Sequence, residues 1–266
     1  NIYICDQGNQ RVQRWVSGAT SGVKVAGGNG YGSAPNQLTN PAGVFVDASG
    51  NVYVSDNSNY RIQKWAPSAS TGTTVAGGNG LGANTNQLNG PNSIFVDASG
   101  NMYISDQYNN RIIKWASSAS TGTIVAGGTR NGPIPNQLNL PSGVFVDAAG
   151  NLYVSDVANQ RIQKFVPGVT NGTTVAGGNG EGSASNQFLR PNSVFVDASN
   201  NMYVCDDGNN QIQKWAPGAT TGTTVAGGNG AGTGADQLYY PQGVFVDASN
   251  NIYTADVAGH RVQKWA

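Results

Sequence analysis

Charged residues are scarce in this sequence of 266 residues: they make up 11% of it, and the formal net charge at pH 7 is zero. Proteins that bind nucleic acid through its phosphates usually present a clustered basic face. A neutral chain with so few lysines and arginines does not offer one, so we expect no nucleic-acid partner. No apolar run approaches the roughly 18 residues that a membrane-spanning helix needs, and we expect no membrane insertion.

Residues that usually carry enzyme chemistry are also few. The sequence has one histidine, His260, one glutamate, Glu181, and two cysteines, Cys5 and Cys205. The sequence therefore has too few of these residues for a metal site rich in histidine, and a Ser/His/Asp triad would have to use its single histidine. The two cysteines occupy the same position in different copies of a repeat, so we expect two buried free thiols rather than a disulfide.

The sequence is rich in repetition. One motif recurs every 50 residues without insertion or deletion, and its most regular marker is the series Asp56, Asp106, Asp156, Asp206 and Asp256. A strict period of about 20 to 50 residues is the signature of solenoids, propellers and arrays. We expect a single domain over 1–266, with a partial first copy at 1–28, complete units at 41–90, 91–140, 141–190 and 191–240, and a partial last copy at 241–266.

Each complete unit predicts four short antiparallel strands. In the unit 41–90 they are expected over 43–47, 52–55, 61–65 and 73–76, with no helical period between them. The first turn has Gly50 where later copies have Asn200 and Asn250. Glycine and asparagine tolerate positive φ, which predicts a type I turn followed by a bulge.

Such a sheet cannot bury both of its faces alone, but copies packed face to face around an axis can. We therefore predict an all-β fold, a six-bladed β-propeller of four-stranded antiparallel blades. The alternative is a ring of five blades, in which the C-terminal strands borrow the strand at 23–26. Residues present in every copy are expected to build the fold, and function is expected where one copy departs from the others.

Three stretches of each unit carry a family signature: Pro-x-Gly-Val-x-Val-Asp at 41–47, Gly-Asn-x-Tyr-Val-x-Asp at 50–56 and Asn-x-Arg-Ile-x-Lys-Trp at 59–65. With the closing Thr-Val-Ala-Gly-Gly of 74–78, the pattern resembles the NHL repeat over essentially the whole chain. The resemblance implies a six-bladed β-propeller. Known uses in that family are protein docking, RNA binding on a basic face and a metal-dependent amidating lyase, and the architecture also hosts lactonases. Fold alone does not choose among them, but such a lyase would need several histidine ligands that this sequence lacks.

The repeated Asp and the Arg five residues after it form the most prominent charged pattern. We interpret it as structural, because an Asp at a strand end can accept backbone N–H bonds from the following turn and pair with the Arg. These structural residues are Asp56, Arg61, Asp106, Arg111, Asp156 and Arg161. Gln211 replaces the Arg in one copy, which makes that copy an internal control. The repeated tyrosines, beginning with Tyr53, are expected in the core.

Departures from the repeat concentrate in the loops after the second strand and before the first, which a propeller places on one face. Exposed tyrosines next to a few charges make a plausible surface for a protein or a glycan. The candidate partner-binding residues are Tyr31, Tyr60, Tyr108, Arg130, Glu181, Arg190, Tyr239, Tyr240 and His260. Asp207 and Asp236 are further charges off the template. The alternative is neutral drift among amplified copies.

The first strands begin at positions expected to line the mouth of a channel. They are Ala42, Asn92, Ser142, Asn192 and Gln242. Side-chain amides there could help to hold Ca²⁺, but no carboxylate stands at this position, so we expect no tight metal site and no cofactor. Asn171, in the turn between the third and fourth strands, begins an N-glycosylation sequon and is expected to be exposed on the opposite face.

We interpret the chain as a non-enzymatic binding or scaffold module, extracellular and part of an assembly. Its expected partners are a protein or a glycan, and also neighbouring segments of a longer polypeptide, since the chain opens on Asn1 rather than Met. The low-charge composition, rich in Asn, Thr and Gly, favours the extracellular location. The alternative function is a propeller hydrolase, lactonase or lyase that uses a channel metal.

Overall fold

The computed structural model describes residues 1–128 and 130–266, which form two compact units. The fold is an all-β, six-bladed β-propeller with three antiparallel sheets in each unit. Four of the sheets have four strands and two have three. The predicted fold class is therefore confirmed, and the sheets of the partial first and last copies, at 1–27 and 241–265, have three strands each. No helix among the described residues is long and apolar enough to cross a membrane.

The first unit contains strands β1 to β11. They are β1 (Ile2–Asp6), β2 (Arg11–Trp15), β3 (Val23–Gly27), β4 (Pro41–Val46), β5 (Val52–Asp56), β6 (Arg61–Trp65), β7 (Thr73–Gly77), β8 (Pro91–Val96), β9 (Met102–Asp106), β10 (Arg111–Trp115) and β11 (Thr123–Gly127). The strands β1–β3, β4–β7 and β8–β11 form the three sheets. Because β3 pairs with β2, the five-bladed alternative, in which this strand joins the C-terminal ones, is wrong.

The second unit repeats this plan in strands β12 to β22. They are β12 (Pro141–Val146), β13 (Leu152–Asp156), β14 (Arg161–Phe165), β15 (Thr173–Gly177), β16 (Pro191–Val196), β17 (Met202–Asp206), β18 (Gln211–Trp215), β19 (Thr223–Gly227), β20 (Pro241–Val246), β21 (Ile252–Asp256) and β22 (Arg261–Trp265). The strands β12–β15, β16–β19 and β20–β22 form the sheets.

A single 3₁₀ turn follows the strand that ends at the repeated Asp in five blades, where the sequence predicted a short loop. The turns are Gln7–Asn9, Asn57–Asn59, Gln107–Asn109, Val157–Asn159 and Asp207–Asn209. The hairpin after the first strand follows the prediction. The N–H of Gly50 donates to the carbonyl oxygen of Asp47 at 2.9 Å, and φ is positive at Gly50, Asn200 and Asn250.

The core lies between neighbouring sheets of each unit. In the first unit, Ile62 and Leu88 pack with Ile104 and Trp115, and all four side chains are almost fully buried. In the second, Ile162 and Phe188 pack with Val204 and Trp215. Leu88 and Phe188 belong to the long linkers between blades rather than to strands, so each linker anchors itself in the core.

Candidate functional site

The linkers between blades and the short turns after the second strands meet at one end of the sheets, which we call the loop end. The N–H of Ser58 donates to the oxygen of Thr39 at 3.2 Å, and that of Ala258 donates to the oxygen of Tyr239 at 3.0 Å. The side chain of Asn59 donates to the oxygen of Gly32 at 2.9 Å. The sequence predicted that these two kinds of loop share a face, and within each unit they do.

The repeated Asp and Arg hold each linker in place. In the blade β8–β11, Oδ2 of Asp106 accepts from Arg111 Nε at 2.6 Å and from Asn109 at 2.8 Å, while Oδ1 accepts the N–H of Asn89 at 2.6 Å. The Nη atoms of Arg111 reach the oxygens of Ala83, Asn84 and Gln87. The backbone donor to Asp106 thus comes from the linker before it. The sequence interpretation, which placed that donor in the following turn, was wrong on this point.

Five repeat carboxylates, those of Asp56, Asp106, Asp156, Asp206 and Asp256, are buried by this arrangement. Burial raises the pKa of Asp56, Asp106, Asp156 and Asp206, and the hydrogen bonds they accept oppose that rise without cancelling it. These groups are therefore occupied in packing the linkers and do not face solvent.

The blade β16–β19 uses Gln211 instead of Arg. Its Nε2 donates to Asp206 Oδ2 at 2.8 Å, and its Oε1 accepts from Thr224 at 2.6 Å. Gln213 donates to the same Asp206 oxygen at 3.2 Å, in addition to Asn209 at 2.8 Å. The Gln211 amide thus replaces the hydrogen bond that arginine Nε makes to the Asp. It does not replace the bonds that the arginine Nη atoms make to the linker carbonyls in other copies.

The candidate partner-binding residues lie mostly on the surface of the loop end. Exposed ones are Tyr31, Tyr108, Arg130, Glu181, Arg190, Tyr239, Tyr240 and His260. Tyr31 and Tyr108 are 67% and 59% exposed. Tyr60, which was expected to be exposed, is half-buried, because it caps the 3₁₀ turn in a left-handed conformation and the N–H of Gly78 donates to its carbonyl oxygen at 2.9 Å.

Three of the candidates are in direct contact in the second unit. The guanidinium of Arg190 lies over the ring of Tyr240, with 5.5 Å from Cζ to the ring centre. The ring of Tyr240 stacks on that of Tyr239, with centres 4.9 Å apart and planes 30° from parallel. Nε of Arg190 is 3.8 Å from Oδ2 of Asp207. We call Arg190, Asp207, Tyr239 and Tyr240 the Arg190 cluster.

Asp207 was not among the residues that the sequence assigned to the partner-binding face. Its side chain is only 9% exposed, and its Oδ1 is buried without a hydrogen-bond partner. Burial raises the pKa of Asp207, nearby Asp206 adds to the rise, and Arg190 opposes it. The sequence could have identified Asp207 by its charge, because the other copies have the uncharged residues Gln7, Asn57, Gln107, Val157 and Val257 at this position.

Arg190 and Tyr240 both have a left-handed backbone conformation, and hydrogen bonds from neighbouring side chains stabilise it. Their φ angles are 58° and 54°, a region that favours Gly and Asn. Side chains at the end of the preceding turn stabilise it: Gln160 Oε1 accepts the N–H of Arg190 at 2.7 Å, and Asn210 Oδ1 accepts that of Tyr240 at 3.0 Å. The equivalent residues Asn40 and Gly90 suit the conformation without such strain.

The residues expected at a channel mouth begin the first strands as predicted. Ser142 Oγ donates to Asn192 Oδ1 at 2.5 Å, Asn92 Nδ2 lies 3.5 Å from Gln107 Oε1, and Gln242 is exposed. Over residues 1–128 and 130–266, no three His, Cys, Asp or Glu side chains are grouped so that they could hold a metal ion. A role of these residues in a channel stays a prediction.

The remaining sequence candidates are the sequon and the two cysteines. Asn171 lies between β14 and β15 and is exposed. Both cysteines are free. Cys205 is fully buried and burial raises the pKa of its thiol, whereas Cys5, which was expected to be buried too, is partly exposed. Its strand β1 is the first strand of a three-stranded sheet, which leaves it less covered.

The family model of the NHL repeat matches residues 38–65, 138–165 and 238–265. The chain carries NHL repeats. Each match begins at a buried linker residue (Leu38, Leu138 or Leu238) and ends with the third strand, so it contains one Asp and one Arg of the linker contacts. The resemblance predicted from the sequence is confirmed. No curated protein sequence matches the chain.

Solved structures share the fold at low sequence identity. A chain of the nidogen/laminin complex is 18% identical, with a TM-score of 0.71 over 96% of this NHL-repeat chain and 86% of the other. A gluconolactonase from Xanthomonas campestris is 13% identical, with a TM-score of 0.69 over 96% and 78%. A streptogramin B lyase is 15% identical, with a TM-score of 0.56 over 84% of this chain and 64% of the lyase. These likenesses show the fold and leave both binding and enzymatic roles open.

Proposed function

We propose that this NHL-repeat protein is a non-enzymatic binding module that presents its loop end to a protein or glycan partner in an extracellular assembly. One observation carries the proposal. The repeated Asp and Arg are used inside the protein to hold the linkers in the four copies with Arg61, Arg111, Arg161 and Arg261, while many side chains that differ between copies are exposed at the loop end. A rigid scaffold with variable exposed loops is the usual design of a binding surface.

The exposed aromatic residues strengthen this interpretation. Tyrosine and arginine are enriched among the residues that contribute most to protein interfaces. Here the backbone N–H groups of Tyr108 and Tyr240 are held by hydrogen bonds to Asn89 and Asn210. Such pre-organisation lowers the entropic cost of binding. The chain of the nidogen/laminin complex, which has the same fold, provides a precedent for protein binding by this architecture.

The test compares two variants of the first unit whose replacements already occur in other copies. Tyr31→Ala with Tyr108→Ala removes two exposed rings at the loop end, using the residues found at Ala231 and Ala158. Val16→Ala, which introduces the residue found at Ala66, removes an exposed side chain at the opposite end of the strands. Partners captured from the extracellular fluid of the source should be retained by the wild type and by Val16→Ala, and lost by the double variant.

Equal capture by all three proteins would contradict the proposal. The enzymatic alternative makes a different prediction, since a hydrolase, lactonase or lyase that uses a channel metal should purify with a stoichiometric divalent ion. Elemental analysis of protein prepared without chelators measures this directly. One bound ion per chain, together with lactone hydrolysis that is lost on its removal, would favour the enzyme.

A further inference from the structure

We infer that the Arg190 cluster is a binding site for a neutral saccharide. The inference rests on the proposal that the loop end is a binding surface, and it assigns a ligand class to one place on it. The cluster joins residues from two successive linkers, at 189–190 and 239–240, with the 3₁₀ turn between them. It exists in one copy of the repeat, because no other copy combines these side chains.

The aromatic part of the cluster offers an apolar platform. Tyr239 and Tyr240 are 37% and 41% exposed although their rings stack on each other. The N–H of Tyr239 donates to Asp256 Oδ1 at 2.6 Å, so the backbone beneath the rings is fixed to a buried carboxylate. Fixed and partly exposed rings suit the apolar C–H face of a sugar, which needs a flat partner and gains from burial.

The polar part of the cluster has unfilled hydrogen-bonding capacity of both kinds. Oδ1 of Asp207 is a buried acceptor without a donor. The separation of 3.8 Å between Arg190 Nε and Asp207 Oδ2 is longer than a charge-assisted hydrogen bond of about 2.7 to 2.9 Å. Arg190 is half exposed, and its guanidinium therefore keeps N–H donors available next to an unsatisfied acceptor.

This combination selects a ligand with hydroxyl groups. A hydroxyl is at once a donor and an acceptor, so it can donate to Asp207 and accept from Arg190. A ligand carboxylate would satisfy Arg190 but oppose Asp207, and a ligand amine would do the reverse. Since the Arg and Asp charges cancel, a neutral polyhydroxyl ligand matches the site better than an ion of either sign.

Oδ1 of Asp207 is buried, so a ligand hydroxyl reaches it only when the half-exposed side chain of Arg190 moves aside. The guanidinium is held by the long contact to Asp207 and by the ring of Tyr240. A saccharide hydroxyl entering beside Arg190 would close the gap that the ion pair leaves.

The experiment uses the intact protein and defined probes: maltotriose, cellotriose and triacetylchitotriose as neutral saccharides, with polyglutamate as the anionic probe. Saturation-transfer NMR detects which sugar protons approach the tyrosine rings, and calorimetry gives the affinity. The variants Tyr240→Asn, Asp207→Gln and Arg190→Asn introduce residues that stand at equivalent positions in other copies, at Asn40 and Gln107, so the fold is expected to tolerate them.

We expect at least one of the three saccharides to bind the wild type, and its dissociation constant to rise about tenfold or more, a loss of at least 1.4 kcal/mol, in Tyr240→Asn and in Asp207→Gln. Leu140→Asn, at the position of Arg190 in another linker of the same unit, is the matched control and should change the affinity less than about twofold. This readout does not use Tyr31 or Tyr108, so it can fail or succeed independently of the partner-capture test.

Three results would overturn the inference. One is that none of the three saccharides binds. Another is that the cluster variants bind the sugar as well as Leu140→Asn does. The third is that polyglutamate binds in preference, with binding abolished by Arg190→Asn but kept by Asp207→Gln, which would make Arg190 an anchor for anions and Asp207 only its neighbour.

Discussion

Nε of Arg111 donates to Oδ2 of Asp106 at 2.6 Å, and both side chains are almost completely buried. The pair does not act alone, since the remaining nitrogens of Arg111 hold the carbonyls of residues 83, 84 and 87. A local pair five residues apart thus fixes a linker that lies about half a repeat earlier in the chain. The 50-residue spacing reproduces this contact at Arg61, Arg161 and Arg261.

Arg111→Ala is expected to destabilise the protein by about 3 to 5 kcal/mol, because it leaves the Asp106 carboxylate buried without its cation. The matched control is Arg11→Ala. Arg11 makes the same contact with Asp6 at 2.7 Å, but the two side chains are 35% and 27% exposed, so the loss should be about 1 kcal/mol or less. Urea unfolding measures both changes. Equal losses in the two variants would show that burial does not set the strength of the pair.

Gly77→Ala is expected to destabilise the protein much more than Gly80→Ala. Both glycines have positive φ, 67° and 78°, which costs a residue with a side chain about 1 kcal/mol or more. At Gly77 an added Cβ would also collide with the carbonyl oxygen of Tyr60 and the buried side chain of Leu88, whereas at Gly80 it would meet nothing within 4 Å.

Thermal unfolding of the two glycine variants separates the cost of the backbone conformation from the cost of the collision. The Gly80 variant measures the backbone cost alone, and the Gly77 variant measures the backbone cost plus the cost of the collision. Similar melting temperatures for the two variants would contradict the close approach of linker and turn at this point.

Asp97→Asn is expected to change how stability depends on pH. Burial alone would raise the pKa of Asp97, but hydrogen bonds from Asn101 and Ser99 outweigh it and hold the pKa below 3.8. A carboxyl whose pKa is lowered by folding contributes stability above its unfolded pKa and loses it as the pH falls through its folded pKa. The stability difference between wild type and Asp97→Asn should therefore shrink as the pH falls below 3.8.

Unfolding midpoints measured across the acid range test this dependence. Ser99→Ala is the control, because Ala149 stands at the same position in another copy and the carboxylate of Asp97 remains to titrate. Its difference from the wild type should vary less with pH. A constant difference for Asp97→Asn would mean that folding does not shift this carboxyl.

The strands and their hairpins could be predicted because the signals are local. Alternation of apolar residues marks the strands, and the exchange of Gly50 for Asn200 and Asn250 marks a left-handed turn residue. The linkers could not be predicted in the same way. Nothing local in the Gly- and Asn-rich segment 78–90 shows that Leu88 is buried or that Arg111 binds its carbonyls, because those contacts join residues 24 to 28 positions apart.

In the candidate site, too, local features could be predicted from the sequence and contacts between distant residues could not. Composition and position indicated that Arg190, Tyr239 and Tyr240 belong to the loop end, since they are off the repeat template. The contact between Arg190 and Tyr240 joins two different linkers, and the burial of Asp207 depends on the turn that carries it. Neither the contact nor the burial follows from spacing in the sequence. Arg190 and Tyr240 also have positive φ, which a sequence reveals only when the residue is Gly or Asn.

Gln211→Arg is expected to stabilise the protein, which is the reverse of the usual effect of adding a charge to a buried position. The arginine would meet Asp206, which already accepts from Gln211, and its Nη atoms would reach the carbonyls of residues 183, 184 and 187, as Arg161 reaches those of 133, 134 and 137. Thr224 and Gln213 have counterparts beside Arg161 in Thr174 and Gln163, so the surroundings are compatible. We expect the free energy of unfolding to rise by about 1 kcal/mol and amide exchange over 183–190 to slow.

The control is Lys214→Arg, on the same strand but away from the linker, which should change neither the free energy of unfolding nor the exchange rates. A loss of stability in Gln211→Arg would show that this blade has adapted to glutamine and that its linker is held by other contacts.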